Sequence, residues 1–357
     1  MRAAVYWGKG DFRVDEIPVP EVSAGEMLVR VEACGICGTD IKKIVNGLLP
    51  GPRIFGHEIC GTVARAGSSV RRFREGDRVV LHHHVPCGRC FYCSKQAYAQ
   101  CEVYKRNGTT AGFEPAGGGF AEYVKAMDWI VDRGAIPVPD GVLAEEAAFV
   151  EPVNTCLKAV QRAGVEKGQT VVVVGQGPIG LLLMQICRWA GAEVVVSDSL
   201  PDRLDMARRL GASLALDASA VDVPREVRSL TGGRGADVAL LAAFGQAPFA
   251  QAVDATRPGG RIIVFAATSP GEMVQVDLGA LSASEKEILT SYSASVDIQD
   301  LAAQLVFGRE VRVRELVTHR FPLEEAPRAL EVASHPAPGV LKVVLQGGGD
   351  ATGFSAR

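Results

Sequence analysis

No long block of lysine or arginine appears anywhere in the 357 residues, and the formal net charge is −3. Without a basic stripe the chain has no electrostatic reason to bind nucleic acid or an anionic membrane. No export signal is expected either, because Met1-Arg2-Ala3-Ala4-Val5-Tyr6-Trp7 reaches Lys9 and Asp11 before an apolar core of signal-peptide length can form. The longest uncharged apolar run, Thr170 to Cys187, contains Gly175, Gly177, Pro178 and Gly180. Those residues exclude a membrane helix and suit a buried strand that turns into a helix. Neither an internal repeat nor a low-complexity segment is found. Nine cysteines are an odd number, so no disulfide scheme pairs them all. In a chain expected to stay in the reducing cytoplasm they favour metal ligation.

What is present is the make-up of a globular protein, 47% hydrophobic and 22% charged, at a length that predicts two domains. From Met27 to about Lys125 short β-rich runs such as Met27-Leu28-Val29-Arg30-Val31 alternate with glycine turns. Beyond Gly168 the period becomes β-α-β. Val171 to Val174 predicts a buried strand, Ile179 to Trp189 a helix and Glu193 to Ser197 a second strand. Arg203 to Leu210, Asp237 to Leu241, Ala247 to Ala255 and Arg261 to Phe265 continue the alternation, as a doubly wound parallel sheet requires. Val340 to Leu345 reads as a last strand that rejoins the first domain, and Gly347 onward as a frayed terminus.

Three clusters carry chemistry. Cys87, Cys90, Cys93 and Cys101 have a spacing that closes four thiolates on one tetrahedral zinc, leaving no position for substrate, so that metal is structural. Its lobe has no basic helix and does not read as a nucleic-acid finger. Gly175-Gln176-Gly177-Pro178-Ile179-Gly180 follows the four-valine strand and opens a helix, which lets a pyrophosphate approach the backbone at a helix N-terminus. Asp198, 18 residues past Gly180, is placed to accept from the adenosine ribose hydroxyls. Its charge favours NAD over NADP, with Arg203 packed along the ribose edge or solvated on its helix. The third cluster is Cys37, His57, Glu58 and, just before the dinucleotide unit, Glu151. These are competent zinc ligands, and three protein ligands leave a position open for water or substrate.

In this order of motifs the chain resembles the zinc-containing medium-chain dehydrogenase/reductase family, most closely its polyol (sorbitol-type) and threonine dehydrogenase branches. The resemblance runs from the Gly25-Glu26 turn through Gly117-Gly118-Gly119-Phe120-Ala121-Glu122-Tyr123 to the last strand. It implies an α/β protein: a mainly β GroES-like catalytic domain from 1–152 and 291–357, a structural zinc lobe at about 84–105, and a Rossmann NAD-binding domain at 153–290. It also implies Cys37 and His57 as catalytic zinc ligands, Glu58 as a ligand in the polyol-type resting state, and Glu151 in place of a second cysteine. Glu58, Glu151 or water is left to complete the coordination.

Further implied roles are Thr39 as acceptor of the substrate proton, passed on through the cofactor ribose, and Asp40 as the partner of His57. His84 is implied as a residue lining the substrate cleft; the Leu48–Pro52 loop and the Tyr292 region are candidates for its border. Lys42 stands where relatives carry a relay histidine and is expected to face solvent. Cys34 and Cys156 are read as buried structural thiols. The expected activity is NAD-dependent oxidation of a secondary alcohol in a polyol, sugar, diol or hydroxy-amino acid, with two zinc ions per subunit and assembly as a tetramer or dimer. The competing reading is a non-enzymatic NAD- or redox-sensing protein on the same fold, which has no need of Cys37, Thr39, His57 and Glu151 together.

Overall fold

The computed structural model describes residues 1–107, 117–266, 271–335 and 337–347. The terminus expected to fray lies outside the described residues from 348 onward. Six parallel strands form one sheet in the spatial order Leu214–Asp217, Glu193–Asp198, Thr170–Val174, Ala236–Leu241, Thr256–Val264 and Glu287–Thr290. This order starts from a central first strand and winds outward both ways, as a dinucleotide-binding sheet does. The valine run explains why Thr170–Val174 sits in the middle. Val171 and Val173 enter one hydrophobic core while Val172 and Val174 enter another on the opposite face. A strand covered on both sides needs a continuous apolar run rather than alternation.

A seven-stranded sheet is the other large one. Its order is Val317–Pro322, Lys342–Gln346, Met27–Gly35, Glu58–Ala66, Arg78–Leu81 and Ala135–Pro137, with Tyr123–Ala126 also paired to Met27–Gly35. A third sheet joins Asp11–Glu16, Arg2–Gly8 and Arg53–Ile54. The C-terminal strand therefore lies beside Met27–Gly35, antiparallel, with Val344 opposite Gly35. Among the described residues no helix is long and apolar enough to cross a membrane.

One helix links the two large sheets. Val150–Ala163 runs unbroken across positions 152 and 153, and its buried side chains Val153, Cys156, Leu157 and Val160 share a core with Leu181 to Met184 of the helix Pro178–Trp189. Ala302, Leu305 and Val306 of the helix Gln299–Phe307 enter the same core, and this helix packs against Val150–Ala163. The seam is stitched by Asn154, which is fully buried. Its side chain donates to the Ser295 carbonyl at 2.9 Å and accepts from the Ser295 amide at 2.8 Å.

The four cysteines of the small lobe converge. Their sulfur atoms all lie within 4.8 Å of one another, with Cys90 to Cys93 at 3.5 Å and Cys87 to Cys93 at 4.0 Å. A disulfide needs about 2.05 Å, and all nine cysteines of the chain are free. Thiolates about 2.3 Å from a tetrahedral zinc stand roughly 3.8 Å apart, which is the spacing found here. Cys90 is held toward thiolate, down to about 6, chiefly by the backbone amide of Cys93, whereas burial pushes Cys93 up to about 12.

Two outcomes test this architecture. Asn154→Ala leaves both Ser295 backbone groups buried without partners and is expected to destabilise the fold by about 2 kcal/mol or more; urea unfolding with a lower midpoint and unchanged slope reads it. Cys93→Ser is expected to lower the thermal midpoint by roughly 5 °C or more, while turnover per folded molecule is kept; turnover lost at unchanged thermal stability contradicts a structural role.

Candidate active site

Strand register assembles the site. Met27–Gly35 leads through Ile36 to Cys37, and the antiparallel neighbour begins at Glu58 directly opposite Gly35. Cys37 and His57-Glu58 are thereby brought to one end of the sheet, with a sulfur, a ring nitrogen and a carboxylate oxygen within 4.8 Å of one another. Cys37 caps the helix Gly38–Asn46, and its amide donates to Asp40 Oδ2 at 3.4 Å. That cap turns Asp40 inward, fully buried, with its other oxygen 3.2 Å from His57 Nδ1. Nε2 of the ring is then left for a ligand. Thr39 Oγ1 lies 3.2 Å from Cys37 Sγ.

The electrostatics fit a cation. Burial disfavours a charged His57, but the negative charges of Asp40 and Cys37 outweigh it and hold the ring's pKa well above its usual value. A place that draws a proton this strongly, built of thiolate, imidazole and carboxylate, suits zinc.

Lys342 is the functional residue that sequence reasoning missed. It opens the last strand, is 6% exposed, and its ammonium donates to Glu58 Oε1 at 2.6 Å and to the Ile36 carbonyl at 3.0 Å. Burial works against its charge, and Glu58 and Cys37 restore it, leaving the pKa raised. The pair needs Gly35: a Cβ there would stand 1.9 Å from Glu58 Oε2 and 2.8 Å from Lys342 Cε. The available signal was a charged residue in the otherwise apolar run Val340 to Leu345.

Glu151 occupies the first turn of Val150–Ala163 and is 4% exposed. Its carboxylate gathers with His83 and His84 rather than with the Cys37 set, 3.6 Å from His84 Nδ1. Burial lifts Glu151 to about 7 and presses His82 down to about 4, with His83 and His84 also well below the usual imidazole range. The His84 ring lies 5.0 Å from that of Tyr104. Lys42, expected to face solvent, is half-buried, on a helix that packs against Ala326–Ser334 and exposes Gly38, Val45 and Asn46. Cys34 and Cys156 are fully buried, and burial pushes both thiols up.

The glycine turn sits at the carboxyl end of Thr170–Val174, with Gly177 as the cap and Pro178 as the first residue of its helix. Gly175 has φ +91°, and a Cβ on Gly180 would come 1.8 Å from the Gly175 carbonyl oxygen. Only glycine fits both positions. Ile179 is tied back to the linking helix by Cys156, whose thiol lies 3.9 Å from its carbonyl. Asp198 ends the neighbouring strand and accepts from the Gln176 amide at 2.5 Å and the Leu200 amide at 2.9 Å. Arg203 Nη1 is 3.8 Å from the same carboxylate.

Comparison with known proteins agrees with this layout. The family model for the alcohol dehydrogenase GroES-like domain matches residues 23–140, and that for the zinc-binding dehydrogenase domain matches residues 178–307. The chain is similar to a sorbitol dehydrogenase of Bacillus subtilis (strain 168), 30% identical over 97% of each chain. It is also similar to a sorbitol dehydrogenase of Homo sapiens, 32% identical over 92% of this chain and 91% of the other. A solved zinc-binding dehydrogenase from Sinorhizobium meliloti 1021, bound to NADP, superposes with TM-score 0.86 at 31% identity, covering 97% of this chain and 98% of that one. Together with the Cys37 centre beside a doubly wound nucleotide sheet, these likenesses make the chain a member of the zinc-dependent medium-chain dehydrogenase/reductase family, in its polyol dehydrogenase branch, and a zinc-dependent alcohol oxidoreductase.

Proposed function

We propose that this protein oxidises a secondary alcohol of a polyol, sugar, diol or hydroxy-amino acid with NAD as acceptor, and holds two zinc ions per chain. The observation that carries the reading is the helix Val150–Ala163. Glu151 faces the catalytic cleft from its first turn, and Cys156, five residues and about 7.5 Å further along the axis, touches Ile179 of the glycine turn. A carbinol carbon at the Cys37 centre and a nicotinamide reaching out from that turn would meet within this span.

Cys37, His57 and Glu58 are the residues that would hold the reacting zinc, with Glu151 near enough to act on its open side; Cys87, Cys90, Cys93 and Cys101 would hold the other. Zinc supplies Lewis acidity that lowers the pKa of a hydroxyl, and NAD supplies the hydride acceptor. Thr39 is positioned to take the substrate's hydroxyl proton and pass it outward. Asp40 fixes the His57 ring, and Lys342 holds the Glu58 carboxylate in place. Gly175, Gly177, Pro178, Ile179 and Gly180 form the cradle for the pyrophosphate. Asp198 is held in place by two backbone amides, so its charge stands fixed where a 2′-phosphate would have to fit; this supports NAD. Arg203 beside it would favour the phosphate, and the NADP in the Sinorhizobium meliloti structure shows that protein's cofactor alone.

The main test is NADH formation across polyols, aldoses, 2,3-butanediol and threonine, with NAD and NADP, before and after chelation. Turnover with NAD that disappears on chelation is expected; no turnover on any secondary alcohol from zinc-replete protein rules the reading out. Thr39→Val should lower kcat by about 10²- to 10⁴-fold with little change in cofactor affinity, and an unchanged kcat removes Thr39 from the proton path. Asp198→Ala should raise KM for NAD by about tenfold, the worth of roughly 1.4 kcal/mol of lost contact, and improve use of NADP; a variant still indifferent to NADP assigns the selectivity elsewhere.

A further inference from the structure

The helix Pro201–Leu210 follows the strand that ends at Asp198 and packs on the parallel sheet through Leu204, Ala207 and Leu210. Asp202 stands in its first turn, one residue before Arg203. An acid there suits the positive end of the helix and needs no further partner. This side chain reaches further. Its Oδ2 accepts from the amide of Gly339, 137 residues on, at 2.7 Å. Its Oδ1 is closed off from solvent and has no hydrogen-bond partner. An acid that served only the helix start would keep both oxygens in water, because enclosing one without a partner is costly. The bond from Gly339 offsets that cost, so this contact is what the placement of the side chain achieves. We propose that Asp202 is a positioning residue: it latches the turn before the last strand onto the nucleotide sheet, and so fixes the metal side of the cleft against the adenosine side.

Both ends of the latch lead to functional groups within a few residues. The turn is closed by the Val340 amide on the Ala337 carbonyl at 3.1 Å. Next, the Leu341 amide donates to Thr318 Oγ1 at 3.0 Å, and Lys342 opens the strand Lys342–Gln346. Lys342 donates to Glu58 and to the Ile36 carbonyl, and the Val343 carbonyl accepts from the Ile36 amide at 3.0 Å. Cys37 follows directly. At the other end, Asp198 lies four residues before Asp202, accepts from the Gln176 amide of the glycine turn, and has Arg203 Nη1 beside it at 3.8 Å. A short series of hydrogen bonds therefore runs from the glycine turn, through Asp202 and Gly339, to the backbone next to Cys37. The inference rests on the proposed use of Asp198 and the glycine turn for a dinucleotide, and is independent of which alcohol reacts.

Amide hydrogen exchange of the full-length zinc-loaded protein, read by mass spectrometry, tests the latch without turnover. In Asp202→Ala the segment 338–341 is expected to exchange about tenfold faster or more, the worth of a hydrogen bond to a charged acceptor. Segment 35–38, which holds the Ile36 amide, should exchange about threefold faster, while 236–241 in the centre of the parallel sheet stays as in wild type. Asp202→Asn keeps an accepting oxygen without the charge and should stay near wild type in all three. No change at 338–341 overturns the latch, and a change there without one at 35–38 overturns the positioning role. So does Asp202→Asn behaving like Asp202→Ala, which would reduce the residue to a helix-end charge, or a rise that includes 236–241, which would report lost stability. Turnover then gives a second reading. Asp202→Ala should lower kcat by about tenfold with the NADH dissociation constant within about threefold of wild type, and an unchanged kcat contradicts the role. Wild-type protein that turns over no alcohol loses the proposed reaction, and the exchange results still decide the latch.

Discussion

The buried ion pair between Lys342 and Glu58 is the constraint around which the active end of the molecule is arranged. Neither charge can stay inside without the other, since removing one partner of such a pair costs about 3 to 5 kcal/mol. Lys342 comes from the last strand and Glu58 from the first quarter of the chain, so the pair forms only when Lys342–Gln346 docks beside Met27–Gly35. Gly35 between them makes the approach possible, because any side chain there would occupy the space of the carboxylate. The same docking lets the Ile36 amide bond the Val343 carbonyl at 3.0 Å, which fixes the backbone one residue before Cys37. Charge pairing, sheet register and ligand position are therefore one arrangement.

From that arrangement the chemistry of the cleft divides by charge. The Cys37 side carries a thiol, Asp40 and Glu58, and draws positive charge, as the high proton affinity of His57 records. The His82 to His84 side is buried and kept neutral, and beside it the carboxylate of Glu151 is lifted to about 7. Of the two neighbouring acids, Glu58 has a lysine as its partner and Glu151 faces imidazoles.

Much of this was legible where the physics is local. The cysteine spacing fixes the lobe within a few residues, and Gly175 to Gly180 must be a tight turn because the glycines at both ends are sterically required. The valine run marks the strand at the centre of the parallel sheet. What escaped was long-range. Lys342 lies 284 residues from Glu58, and nothing in either neighbourhood announces the other. Lys42 looked like a solvent residue because a lysine on a short helix usually is, but it is half-buried on a helix that packs against Ala326–Ser334. The grouping of Glu151 with His83 and His84 was equally out of reach, since it depends on where the start of one helix meets a loop some 70 positions earlier in the numbering.

The helix Val150–Ala163 resolves why the two halves act on each other. A boundary placed between 152 and 153 falls inside its first turn, directly after Glu151-Pro152, where the helix is continuous and buried on both sides. A helix packed to interior density transmits position, because its side chains cannot shift without opening voids. Its first turn carries an acid into the metal cleft, and Cys156 meets the backbone of Ile179 at the nucleotide turn. Asn154, between them, fastens the helix to Ser295 on the segment that returns toward the C-terminal strand. The separation of Glu151 from the glycine turn is therefore set by covalent helix geometry rather than by an open interface. In the proposed reaction, hydride transfer, which tolerates little error in separation, would have its two reactants positioned along this one rigid element.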